Sequence, residues 1–350
     1  MKKLNYIKLI CISLLICCTS CKGIEETSSN HNTLQNEQSV QTDMKIEGMI
    51  ESPKALNIKN SYDSLNVATY LTKINDTYFL ADCYHDQIIY NDDIESPLTE
   101  WNVLTNQVHY AHTIATDGEI IVADDTENNR IMAFQNINGE YIHTQTIENI
   151  GMKPHYVQYS KELDTFFVWS SITGEMYFIK SMHNVDEGDI KPLYIEKILK
   201  IDELFGVYVR SFTIMDDGIY FVSGHNNQKI IKAELNETQD AFEIIESYAV
   251  SGEIAGMVQI LKIQDYFYIT ISTDNQENQD YATIIRTKDL SSLKTGEYED
   301  IYNSFDISGG TPYYITEIEG RYFMTHHRTS ENIIAFDIND NEIQNVKIIY

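Results

Sequence analysis

Cysteine is nearly missing from the body of this chain. Of five cysteines in 350 residues, four (Cys11, Cys17, Cys18 and Cys21) fall within the first 21 positions, and only Cys83 lies beyond them. The remainder therefore has no intrachain disulfide and must be held by packing and hydrogen bonds. Cys83 follows a strand-like run and reads as a small buried hydrophobe rather than a nucleophile. Proline is scarce, with five in all, which suits a body made mostly of paired strands, where each proline would remove a ladder donor. Long apolar runs are lacking as well, and the one at residues 9–18 is too short to cross a bilayer as a helix. Positive charge is in deficit: 25 Lys and Arg stand against 53 Asp and Glu, for a net charge of −28. That balance disfavours nucleic acid and anionic lipid headgroups as partners of the body. No HExxH, GxSxG, phosphate-binding loop or dinucleotide fingerprint occurs. The commonest hydrolase and nucleotide chemistries thus have no motif here, and neither a catalytic residue nor a cofactor is assigned.

What is present begins with an export signal. Lys2, Lys3 and Lys8 give a basic start ahead of the apolar residues 9–18, the layout of a secretory leader. The next stretch, Cys18-Thr19-Ser20-Cys21-Lys22, resembles a bacterial lipobox, with small Thr19 and Ser20 before the cysteine and Cys18 where leucine is usual. The resemblance implies that residues 1–20 are removed and that lipidated Cys21 anchors the protein to a membrane, facing away from the cytoplasm. An ordinary cleaved leader or a single N-terminal anchor is the alternative. Residues 21–43 are rich in Ser, Thr, Asn, Gln and Glu and read as a flexible tether. Residues 44–350 form the body, expected to be monomeric, and alternation over residues 44–50 could add a lone strand to it.

The body repeats itself. A central strand recurs as Tyr78-Phe79-Leu80-Ala81-Asp82, Ile120-Ile121-Val122-Ala123-Asp124, Phe166-Phe167-Val168-Trp169-Ser170, Tyr220-Phe221-Val222-Ser223-Gly224, Tyr268-Ile269-Thr270-Ile271-Ser272 and Tyr322-Phe323-Met324-Thr325-His326. The six centres lie about 42 to 54 residues apart, the length of a four-stranded propeller blade. Four of the copies are preceded by a turn with a clear signature, at Asn75-Asp76, Asp117-Gly118, Asp217-Gly218 and Glu319-Gly320. Asp-Gly there predicts a type I′ hairpin, with both central residues at positive φ. Runs of Ile, Val, Tyr and Phe suit sheets buried on both faces. The expected fold is all-β: a six-bladed propeller of four-stranded antiparallel blades, with a short helix possible within residues 198–209.

The second unit carries a family resemblance. Asp117-Gly118, Val122-Ala123-Asp124, Asn128-Asn129-Arg130-Ile131 and Phe134 resemble an NHL repeat, and Lys153-Pro154-His155 supplies the leading proline of the third unit. The match is close over about one blade and degenerates elsewhere, so it implies an NHL-like or TolB-like six-bladed propeller. Such propellers include ligand and protein binders, sugar-lactone hydrolases, lyases and surface lipoproteins, and the fold does not choose among them.

The innermost strands of a propeller begin at one mouth of the central channel. Aligned there are His112, His155, Arg210, Gln259, Tyr313 and Tyr314, a set of imidazoles, a guanidinium, an amide and phenols suited to an anionic or sugar-like ligand. The alternative is that they satisfy backbone groups and plug the channel. Asp124, Asn128, Asn129 and Arg130 read as loop stitching, with Arg130 paired to an acid on a neighbouring blade. His85, His225, His326 and His327 fall in loops expected to lie away from the axis. Two functions remain open: a binding or scaffolding protein whose partner is an envelope protein or a small molecule, and an envelope enzyme of lactonase or lyase type acting on a sugar-derived substrate. Metal lactonases collect acidic and amide ligands at the axis, whereas the only acid placed near these inner strands is Glu317. That balance favours binding.

Overall fold

The computed structural model describes residues 46–350 except 184, 187, 225–227, 273–281, 308 and 329. The leader, Cys21, the tether, Met44 and the loop containing His225 lie outside the described residues. Within them, twenty-four strands form six four-stranded antiparallel sheets, each a simple meander in chain order. The first blade comprises β1 (Ala68–Ile74), β2 (Thr77–Asp82), β3 (Gln87–Asn91) and β4 (Asn102–Thr105). The second comprises β5 (Ile114–Thr116), β6 (Ile120–Asp125), β7 (Arg130–Ile137) and β8 (Glu140–Glu148), and the third β9 (Pro154–Ser160), β10 (Thr165–Ser170), β11 (Glu175–Ser181) and β12 (Leu193–Lys200). β13 (Val209–Met215), β14 (Gly218–Ser223), β15 (Lys229–Leu235) and β16 (Phe242–Ala249) make the fourth. The fifth holds β17 (Met257–Ile263), β18 (Tyr266–Ile271), β19 (Thr283–Thr287) and β20 (Glu299–Asp300), and the sixth β21 (Thr311–Ile318), β22 (Arg321–His327), β23 (Ile333–Asn339) and β24 (Glu342–Ile348). This is the six-bladed propeller that the repeat spacing predicts.

The apolar runs bury both faces of each blade, because the core lies between blades. Ile74, Phe79 and Ile88 of the first blade pack on Ile114, Ile121, Met132 and Phe134 of the second. Equivalent clusters fill the other interfaces, including Leu71, Leu80 and Trp101 of the first blade against Ile318, Phe323 and Ile333 of the sixth. A hydroxyl or its partner amide also crosses every interface. Thr69 Oγ1 donates to Ala111 O, Val157 N to Thr113 Oγ1, Ser171 Oγ to Val209 O, Ser211 Oγ to Val258 O, Thr270 Oγ1 to Tyr313 O and Thr325 Oγ1 to Thr69 O. These bonds satisfy buried backbone groups where strands of different blades meet without pairing.

Among the described residues no strand is shared between the last blade and the first, since β24 is the outer strand of the sixth and β1 the inner strand of the first. Closure rests on the apolar cluster, on Thr325 and Thr316 (Thr316 Oγ1 to Leu71 O, 2.8 Å), and on the C-terminus. Trp101 Nε1 donates to Tyr350 Oη at 3.0 Å, and Tyr350 in turn donates to Ser96 O.

Several local expectations change. Asp117-Gly118 and Asp217-Gly218 hold only the glycine at positive φ, while Glu319-Gly320 has both residues there. Asp117 instead turns its carboxylate onto the amides of Glu119 and Ile120 at 2.8 and 2.7 Å, so a side chain shapes the corner that a type I′ backbone would otherwise make. The helical element expected within residues 198–209 is a single 3-10 turn, Asp202–Leu204. Residues 47–50 pair with the edge of β8, where Thr146 N donates to Gly48 O and Ile50 N to Thr144 O. Bridges at Ala55 and Lys59 carry this arm across to β4, covering two sheet edges that would otherwise be open.

Candidate functional site

The inner strands do not start cleanly, and this places the site. In five blades the pairing of the first two strands slips by at least one residue near that end. The residues left out of register are Thr69, His155, Arg210, Val258 and the pair Tyr313-Tyr314. A bulge adds a residue and re-aims its side chain. In the second blade His112 and Thr113 stand just ahead of the short β5 instead. Their amides are held by Asp124, fully buried on β6, whose carboxylate accepts from His112 N (3.0 and 3.2 Å), Thr113 N (2.6 Å), Thr113 Oγ1 (2.8 Å) and Thr126 Oγ1 (2.8 Å). The stitching expected of Asp124 is therefore also what positions His112.

Four of the six candidates meet at the mouth. The rings of His112 and His155 stack with centroids 3.8 Å apart and planes at 29°, and Tyr313 lies 6.0 Å from His112. His155 is fully buried, and its Nδ1 donates to Arg210 O at 2.9 Å. Tyr208 is edge-on to His155 at 5.5 Å, and the Arg210 guanidinium sits 5.5 Å from the Tyr208 ring. Tyr314 lies beneath, fully buried, donating to Arg210 O at 3.0 Å. With Tyr70 and Tyr156 it blocks the channel, their centroids lying 5.2 to 6.5 Å apart. Burial raises all three phenols, that of Tyr70 to about 12, so the plug is uncharged. Gln259 does not reach the mouth: its amide clips the fifth blade to the sixth, accepting from Ile315 N at 2.7 Å and donating to Ile315 O at 3.1 Å.

Three mouth residues escape the sequence alignment. Tyr208 precedes Arg210 in the linker before β13. His327, expected away from the axis, lies 6.4 Å from the Tyr313 ring, and its Nε2 is 3.3 Å from Tyr84 Oη. The correction is geometric: loops after the second strands open on the same face as the inner-strand starts, so the last residue of β22 leans over the channel. Tyr84 comes from the equivalent loop of the first blade. His85, in contrast, is structural, since its Nδ1 lies 2.7 Å from Asp82 Oδ2, just as Asn128 caps Asp125 at 2.9 Å. Arg130 pairs with Asp125 and Glu148 of its own blade, not a neighbouring one. Glu317 is exposed, toward the far end of β21.

The electrostatics are unusual for so acidic a protein. Arg210 donates to Ser272 Oγ at 2.6 Å and has no carboxylate partner among the described residues. Burial holds the His155 imidazole well below its ordinary range, with His112 and then Arg210 adding to the effect. Burial also lowers His327, to about 4, with Arg210 and His112 contributing. His155 Nε2 is buried without a partner. With its Nδ1 donating to a carbonyl, the free Nε2 of the neutral ring is an acceptor. Among the described residues no group of three or more His, Cys, Asp or Glu side chains is placed to hold a metal ion. Among the described residues the arrangement presents a cation without an acid partner, beside imidazoles and phenols, above the buried tyrosines.

No family model matches the chain, and no curated protein matches it. Solved structures do match in fold. One described as a putative 6-phosphogluconolactonase from Bacteroides fragilis superposes with a TM-score of 0.55 at 12% identity, over 80% of this chain and 82% of its own. Another so described, from Bacteroides uniformis, gives 0.55 at 11% identity over 80% and 85%. A streptogramin B lyase gives 0.54 at 13% identity over 84% and 86%. At these identities the likeness is one of fold.

Proposed function

We propose that this chain is a lipid-anchored protein of the bacterial cell envelope whose propeller binds a small ligand at the channel mouth. The observation that carries the binding role is Arg210, a cation without a carboxylate partner among the described residues, placed beside His155, Tyr208 and Tyr313. A plug has no need of such a charge, since tyrosines alone close the channel below it. The anchor rests on the lipobox-like Cys18-Thr19-Ser20-Cys21 and the tether behind it, and the NHL-type repeat is the ancestry that the second unit suggests. Thermal-shift screening against small acids, sugars and divalent metals tests the binding role. A ligand at 100 times its dissociation constant adds about 2.7 kcal/mol of stability, and a panel without any stabiliser counts against it. For the anchor, Cys21→Ala is expected to release the protein from membranes. Retention after cleavage of the leader would refute the lipid.

One observation favours a second reading. The free Nε2 of His155 is a potential base, so an enzyme of lactonase or lyase type is the alternative. Turnover of a bound ligand, lost in His155→Gln while binding persists, would establish it.

A further inference from the structure

We propose that the ligand of the mouth is a small oxyanion, a carboxylate or phosphate held by Arg210, and that a proton enters with it onto the imidazoles around that arginine. This rests on the binding role proposed above and narrows its ligand class. The argument starts from charge. A guanidinium presents up to five N–H donors in a fork that matches a carboxylate or phosphate. That of Arg210 has one donor on the Ser272 hydroxyl and an aromatic neighbour in Tyr208, with no acid among the described residues. Among the described residues the lysines and arginines that do meet acids do so mostly on the outside, such as Lys232 with Asp217 and Lys347 with Glu95. In a molecule of net charge −28, a cation without an acid among the described residues, at the point where six inner strands converge, is matched to an acid from outside.

The proton follows from the imidazoles. His155 is stacked on His112 at 3.8 Å, so two charged rings would repel at van der Waals contact. His155 Nε2 is buried and unpartnered, an acceptor awaiting a hydrogen. The same Arg210 charge that disfavours protonation of His155 and His327 is neutralised when an anion binds it. Both imidazoles then rise, and one proton moves from solvent onto a ring nitrogen. The other groups facing these rings do not compete for it. They are the phenols Tyr84, Tyr208, Tyr313 and Tyr314, all shifted upward by burial, the Asp124 carboxylate, already taken by four donors behind His112, and His326, itself lowered.

The test is calorimetric titration of the propeller with glucuronate, with glucose as its uncharged counterpart, and with inorganic phosphate as the other source of the same chemistry. Glucuronate keeps a fixed charge from pH 5.5 to 8, so a pH dependence there reports the protein. Binding of glucuronate or phosphate but not glucose is expected, tightening by up to about tenfold for each unit of falling pH. Titrations in two buffers of different ionisation heat should show proton uptake approaching one. Arg210→Gln should abolish anion binding with the far-ultraviolet spectrum unchanged, and Arg210→Lys should restore part of it. Equal affinity for glucose and glucuronate overturns the anion while leaving the binding role intact. Anion binding without proton uptake overturns the proton, and anion binding undiminished in Arg210→Gln overturns the site. Failure of both anions at pH 5.5 and pH 8 overturns the proposal as a whole.

Discussion

Asp124→Ala measures how strongly the fold invests in placing His112. The carboxylate is fully buried and accepts two amides and two hydroxyls. After its removal the Thr126 hydroxyl still has Pro154 O at 2.7 Å, and Thr113 Oγ1 still receives Val157 N at 2.9 Å. The amides of His112 and Thr113 have no such recourse. Each orphaned buried donor costs about 1–3 kcal/mol, partly offset because the buried charge no longer needs desolvating. A net loss of about 3 kcal/mol is expected, or roughly 6 °C in melting temperature for a domain of this size. Asp124→Asn keeps one acceptor oxygen and should lose about half as much. Urea denaturation followed by far-ultraviolet circular dichroism, with matched slopes, gives both numbers. A loss under about 1 kcal/mol for the alanine variant, or equal losses for both, would refute the assignment of Asp124 as the buried anchor.

Three further outcomes follow from closure, the arm and the buried histidines. Tyr350→Phe removes the hydroxyl joining Ser96 and Trp101 and should cost about 1 kcal/mol. Tyr350→Ala, which also empties the Trp101 side of the seam, should cost about 2–3 kcal/mol, both read from denaturation midpoints. Gly48 has φ +71, and a Cβ there would lie 1.6 Å from Thr146 O, so Gly48→Ala should unseat the arm from β8, seen as faster proteolytic cleavage before residue 60. His326, fully buried, is lowered to about 4, chiefly by burial. The unfolded chain therefore takes up a proton near pH 6.5 that the folded chain refuses until about pH 4. Stability should fall by about 3 kcal/mol across that window and flatten below it. The fall should appear in the difference between wild type and His326→Gln, since glutamine does not titrate, and its absence there would refute the lowered His326.

The residues of this chain determine its architecture by themselves because the signals are local. Apolar runs such as Ile120-Ile121-Val122-Ala123 specify strands buried on both faces, and corners such as Asp117-Gly118 specify where they reverse. Six such units of similar length leave little choice beyond a ring. The start of each inner strand could also be aligned, and so His112, His155, Arg210 and Tyr313 were legible as neighbours. Only the tertiary structure decided what those neighbours do. Bulges that leave His155, Arg210 and Tyr313 out of register carry no local signature, yet they turn these side chains toward one another. Ring closure brings His327 of the sixth blade against Tyr84 of the first across 243 residues, and commits Gln259 to a seam instead of the mouth. Strand and turn preferences act over a few residues, whereas a site shared by six blades exists only once all six have packed.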